Sequence, residues 1–172
     1  MASKMDRRTF LKMTAAAAAA ISMAGLLGGC NGAGEGVQLN GYAVSVNMKN
    51  AKSTWDKPAG AAADEGAGYF RVPLKITASV GISLNPMSIF SGMTSAGDAL
   101  TLENKQGLVA LVQNVPTSVE VSFSTKDKKI YEALDSGSVN LLLNVNPTGG
   151  DRAVQYAINF ATSEAASSIV SV

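Results

Sequence analysis

Beyond residue 36, apolar and polar positions alternate along much of the chain with a period of two. Tyr42, Val44, Val46 and Met48 alternate with Ala43, Ser45, Asn47 and Lys49, which predicts a strand with one buried face. The clearest run sets Phe70, Val72, Leu74, Ile76, Ala78 and Val80 between Arg71, Pro73, Lys75, Thr77 and Ser79. Proline offers no N–H to a ladder, so Pro73 predicts an edge or a bulge at that point. An edge over residues 69–80 is a candidate surface for strand pairing, unless Pro73 is there to block it. Val119, Val121 and Phe123 form a further strand pattern, as do Val139, Leu141, Leu143 and Val145. Across the turn residues 146–151, Val154, Tyr156, Ile158 and Phe160 return as a hairpin partner.

Between these runs the pattern breaks. Residues 50–68 hold Pro58, several glycines and Ala61-Ala62-Ala63, which predicts a long mobile loop. Residues 81–99 are irregular, with Met87, Ile89 and Phe90 as a short buried piece. Leu100 to Glu103 and Leu108 to Val112 flank a turn signal, Asn104-Lys105-Gln106-Gly107. Ile130 and Leu134, four apart, give the one helical hint, with Thr125 as its cap. Residues 162–172 are rich in Ser and Ala and are predicted to be loose. About seven short strands with almost no helix predict an all-β, antiparallel sandwich. Its two sheets share one core and turn polar faces to water.

The first thirty residues follow another logic. Lys4, Arg7, Arg8 and Lys12 stand against the single acid Asp6, and Met13 to Gly29 is an uncharged run of seventeen residues. That run is shorter than the roughly 20 apolar residues of a membrane span. Its alanines, Ala15 to Ala20, also contribute little transfer free energy. Asp6-Arg7-Arg8-Thr9-Phe10-Leu11-Lys12 resembles the twin-arginine export motif, and the resemblance implies translocation of a folded or folding-competent protein. Leu27-Gly28-Gly29-Cys30 resembles a bacterial lipobox: a branched apolar residue, two small residues, then the cysteine that receives a diacylglyceryl group. Cys30 is the chain's single cysteine. Residues 1–29 are thus expected to be a twin-arginine lipoprotein signal peptide. Residues 30–36 form the lipidated N-terminus and tether, 37–161 the sandwich, and 162–172 the tail. The expected localisation is the bacterial cell envelope, outside the cytoplasm and lipid-anchored to the membrane.

Composition narrows the chemistry. The chain of 172 residues is 47% apolar but 16% charged and 6% aromatic, with a net charge of +1. Such a balance excludes a nucleic-acid binder resting on a basic field. With no histidine, Ser-His-Asp and Cys-His systems, blue-copper sites and most zinc sites are excluded. The single cysteine leaves no disulfide within one molecule, so packing and hydrogen bonds must carry the fold.

Tyr69-Phe70-Arg71-Val72-Pro73-Leu74-Lys75-Ile76-Thr77 resembles the central strand of the immunoglobulin-like domain of unknown function found in many bacterial lipoproteins. Leu100-Thr101-Leu102-Glu103-Asn104-Lys105-Gln106-Gly107 is similar to that family's next strand and turn. The similarity covers residues 37–161. Where family members often carry Asn-x-Gly after the central strand, Ser79-Val80-Gly81 stands here. The resemblance implies an immunoglobulin-like sandwich and brings no agreed active site with it.

The remaining candidates are few. Trp55, the single tryptophan, is either a partner-binding anchor on a loop or a plug that folds back over the sandwich end. Met48, Met87 and Met93 are better read as core fillers than as copper ligands. Asp64-Glu65 and the Asp98 and Glu103 pair lack calcium-loop spacing. Lys126-Asp127-Lys128-Lys129 reads as a solvated bend, with anionic head groups or wall polymers as the other option. No catalytic residue, metal or cofactor is expected. The expected function is a non-catalytic binding or scaffolding domain, tethered to the membrane through Cys30, with another envelope protein or wall glycan as partner. The alternatives are a small-ligand or wall-carbohydrate binding module, and an accessory subunit of an exported enzyme complex.

Overall fold

The computed structural model describes residues 36–103 and 107–172. Its strands, in chain order, are β1 (Val37–Leu39), β2 (Tyr42–Val46), β3 (Lys52–Asp56), β4 (Ala67–Ala78), β5 (Ile82–Leu84) and β6 (Phe90–Thr94). They continue with β7 (Thr101–Glu103), β8 (Val109–Leu111), β9 (Thr117–Thr125), β10 (Leu141–Val145), β11 (Arg152–Asn159) and β12 (Glu164–Ser171). The helices are α1 (Pro86–Ile89) and α2 (Lys128–Asp135), with a 3-10 turn at Met48–Asn50. One sheet runs β1-β2-β4-β9-β7, with β3 also on β4; a second runs β12-β11-β10-β6, and β5 pairs β8. The named strands pair antiparallel throughout the described residues, as the alternation predicts.

Strand β4 organises the first sheet. Phe70, Val72, Leu74 and Ile76 are buried, whereas Arg71 and Lys75 between them are exposed. On β9, Phe123, Val121 and Val119 stand opposite Phe70, Val72 and Leu74 and are buried on the same face. The second sheet supplies Leu141, Leu143, Val145, Val154, Tyr156 and Ile158 to the same core. The sheets touch closely at Gly92 of β6, where an added Cβ would lie 2.6 Å from the Phe123 ring. They are also joined by a polar link: Tyr156 Oη donates to the Val44 carbonyl oxygen at 2.5 Å.

Pro73 explains how a central strand carries a proline. On one side β4 is paired with β9 along its length. On the other side β3 covers Ala67 to Arg71 and β2 covers Leu74 to Ala78, so Pro73 falls opposite the break between them. The Asn47 N–H donates to the Pro73 carbonyl at 2.9 Å. A strand residue directs its N–H and C=O to the same side. The missing N–H of Pro73 therefore faces the 3-10 turn, where no ladder donor is needed. Reading residues 69–80 as an open pairing edge is corrected by these two flanks.

Other expectations change too. Residues 50–68 are not loop throughout, because β3 lies within them and pairs with β4. The tail of 162–172 is not loose: β12 pairs with β11 over its eight residues. The strands beside the Asn104–Gly107 turn signal do not pair with each other; β7 joins β9 and β8 joins β5. More strands are present than about seven because β1, β5, β7 and β8 are three residues long, too short for alternation to reveal. The last hairpin forms as expected, with Leu141 opposite Ile158. The cap of α2 is Asp127, which accepts from the Lys129 N–H at 2.8 Å, two residues beyond the expected Thr125.

Burial pushes the Tyr156 phenol well above its ordinary value of 10.0, against the opposing effect of its hydrogen bonding. A raised phenol pKa means its contribution is complete below pH 10.0 and is lost as pH rises through the folded value. Tyr156→Phe is expected to cost about 1–2 kcal/mol at neutral pH by removing the inter-sheet bond. Its stability should then fall less steeply than that of the parent above pH 10.0. Urea denaturation between neutral and alkaline pH checks both, and parallel pH curves for the two proteins would contradict the link.

Candidate functional site

Trp55 is the one candidate binding residue within the described region. Inside β3, Ser53 and Trp55 turn inward while Lys52, Thr54 and Asp56 are exposed. This period of two was hidden by the flanking Asn50, Pro58 and glycines. Trp55 stands opposite Gly68 of β4 and is half-buried, so it lies in a strand rather than on the expected loop. Its ring lies 5.3 Å from that of Tyr131 on α2, at 50°. Tyr131 in turn lies 5.6 Å from Phe70, and Phe70 lies 5.3 Å from Phe160. Two glycines make room for this row. A Cβ at Gly66 would lie 2.8 Å from Trp55 Nε1, and one at Gly68 would lie 2.5 Å from the Tyr131 ring.

Polar groups line the same row. Ser53 Oγ donates to Asp135 Oδ1 at the far end of α2. Burial, then the charge of Asp135, raises the Tyr131 phenol above its ordinary value, with a hydrogen bond to Ser53 acting the other way. Trp55 Nε1 is buried and makes no hydrogen bond among the described residues. The arrangement lays α2 across β3 and β4, with Leu134 buried beneath it. A lone carboxylate accepting from Ser53 does not supply the paired base and electrophile that acyl transfer uses. The ring contacts and the Ser53–Asp135 hydrogen bond pack α2 onto the first sheet. Sequence reasoning missed Tyr131, Ser53 and Asp135. The one available signal was the spacing of Ile130 and Leu134, which put Tyr131 and Asp135 on neighbouring turns.

The other candidates remain apart. Asp98 accepts from Thr94 Oγ1 at 2.9 Å, closing its own turn. Glu103 accepts from Ser124 Oγ at 2.6 Å across the β7 and β9 pair. Met48 packs on the core from the 3-10 turn, Met87 is exposed on α1, and Met93 lies in β6. Lys128 reaches Glu132 at 3.8 Å on the surface of α2. Among the described residues, no three carboxylate or thiol side chains come together as metal ligands. No helix among them is long and apolar enough to cross a membrane. Arg7, Arg8, Phe10, Leu11, Lys12, Leu27, Gly28, Gly29 and Cys30 lie outside the described residues.

Comparison with known proteins bears on that first region. The family model for the twin-arginine translocation pathway signal sequence matches residues 4–24, which include the paired arginines and Phe-Leu-Lys. The chain thus carries an export signal of this class and is directed out of the cytoplasm. No curated protein and no solved structure shows significant similarity to the chain.

The packing of Trp55 has a direct readout. Its emission is expected to be blue-shifted and protected from iodide in the folded protein. Tyr131→Ala should shift that emission to the red and raise its quenching, at a cost of about 3 kcal/mol or more for the lost ring. Unchanged quenching in the variant would show that Tyr131 does not cover Trp55.

Proposed function

We propose that the mature protein begins at Cys30, carries a diacylglyceryl group there, and holds an immunoglobulin-like sandwich at the membrane surface as a non-catalytic binding or scaffolding module. One observation carries this reading. The export signal matched over residues 4–24 is followed, after Gly25 and Leu26, by Leu27-Gly28-Gly29-Cys30, and that cysteine has no other in the chain to pair with. The first strand begins at Val37, so a short stretch of small and polar residues separates the thiol from the fold. Each buried methylene of an attached chain contributes about 0.8 kcal/mol, and two or more chains hold a protein on a bilayer far longer than one. The sandwich would then sit within a few nanometres of the surface and meet partners through its loops and strand edges. Without histidine, and with Ser53 held by Asp135, the described surface favours recognition over reaction.

Mass spectrometry of the mature N-terminus tests the proposal. The expected peptide begins at Cys30 and carries the mass of a diacylglyceryl group. Cys30→Ala is expected to abolish that processing and release the domain from washed membranes. A free Cys30 thiol, or a Cys30→Ala protein that stays equally membrane-bound after cleavage, would overturn it.

A further inference from the structure

We infer that the free edge of β12 pairs with β12 of a second copy of this chain, in an antiparallel register centred on Ser168. Strand β12 ends the second sheet, with β11 on one side and no strand on the other among the described residues. The opposite edge of that sheet, β6, is closed by its own chain. Leu100 N–H donates to the Gly92 carbonyl at 3.1 Å, Thr94 N–H donates to the Asp98 carbonyl at 2.8 Å, and Met93 bridges Ala99. In the other sheet, the end strands β1 and β7 are three residues each, and β3, which pairs with β4 alone, is five residues long and carries exposed Lys52 and Asp56. Strand β12 has eight residues, no proline, no lysine and no arginine, and its one charge is Glu164 at its first position. Proteins ordinarily blunt a long edge with such residues, and this edge lacks them.

The hydrogen-bonding groups on that edge follow from a single bond. Val172 N–H donates to the Asp151 carbonyl at 3.0 Å, so Val172 faces β11 with its backbone groups. In an antiparallel ladder the facing side alternates residue by residue. Val170, Ser168, Ala166 and Glu164 therefore also face β11. The N–H and C=O groups of Ala165, Ser167, Ile169 and Ser171 point outward.

A two-fold axis perpendicular to the sheet must pass through a residue, because paired residues share a face. Centred on Ser168, it sets Ser167 against the second copy's Ile169 and Ala165 against its Ser171. All the outward groups are then satisfied in about eight bonds. Moving the centre to Ser167 sets Ser171 against Ser163, which lies in the turn at φ 55°. Moving it to Ile169 leaves Ala165 with no partner within β12. Only the Ser168 register uses the full edge.

Side chains agree with that register. Val170 stands against Ala166 and Ile169 against Ser167, a large residue beside a small one in each case, and half-exposed Ile169 gains cover. The two Glu164 carboxylates come to rest at opposite ends, about 27 Å apart along the strands. With β6 closed, the pair is a finished two-fold dimer rather than the start of a fibre. Strand pairing alone buries less than the roughly 1,000 Å² of a lasting interface, so the association is transient in dilute protein and is best trapped covalently.

Cysteine substitution in the full chain, exported by its own signal, provides the trap. Facing residues in a non-hydrogen-bonded antiparallel pair have Cα atoms about 4.5 Å apart, within disulfide range. Ser168→Cys is expected to give a disulfide-linked dimer on non-reducing gels. In the same register Ala166→Cys and Val170→Cys place their thiols about 14 Å from their own copies and stay monomeric. The parent, with Cys30 alone, sets the background and separates a free Cys30 thiol from pairing at β12. Adding Ile169→Pro to Ser168→Cys removes an outward N–H but none that faces β11. It is expected to lower the dimer yield about tenfold or more, with Trp55 emission unchanged. No dimer from Ser168→Cys, equal crosslinking at all three positions, a dimer that survives Ile169→Pro, or capture of a different protein at position 168 would each overturn the inference.

Discussion

Every second side chain of β4 must be kept from water, and both sheets are arranged to meet that demand. Phe70, Val72, Leu74 and Ile76 are almost fully buried on a strand whose other face carries Arg71 and Lys75. A single slip of register would exchange these two sets. The strand is therefore fixed by β9 on one flank and by β2 and β3 on the other, and it is roofed by the second sheet. Even its proline obeys this arrangement, lying where the chain crosses from β2 to β3. Tyr156 then ties the roof to the floor with a hydrogen bond to β2, and the row from Phe160 to Trp55 seals one end beneath α2.

That architecture suits a protein sent out of the cytoplasm by a twin-arginine signal. A route that carries folded cargo asks for a domain that closes without help from the destination. Here the core is complete from packing and hydrogen bonds, with no cysteine among the residues that build it. The proposed lipid on Cys30 adds position rather than stability, since it lies ahead of the first strand. In the same way, the proposed pairing of β12 leaves the core untouched and extends a sheet already formed.

What the sequence revealed depended on length and burial. Strands β4 and β9 set buried apolar residues against more exposed ones over nine or more residues, and β10 and β11, although buried on both faces in part, still carry their core residues Leu141, Leu143, Val145, Val154, Tyr156 and Ile158 at every second position, so alternation marks all four. Strand β3 also alternates, but its five residues lie among proline, glycine and alanine, which dominate a local reading. Strand β12 is made of Ala and Ser with two β-branched residues, and nothing in that composition distinguishes an edge strand from a tail. Trp55 stands out in the sequence for its rarity, yet its environment is set by Tyr131 and Gly66, which lie outside its own strand. Contacts of that kind are decided by tertiary packing, which no local pattern encodes.

Amide hydrogen exchange on the folded protein tests the central position of β4 most directly. If β4 is flanked on both sides, the amides of Ala67 to Val72 and of Leu74 to Ala78 exchange among the slowest in the chain, alongside those of β9. Exchange in residues 67–72 at the rate of an open loop, with protection only beyond Pro73, would contradict the account: β3 would not be paired, and Trp55 would return to solvent.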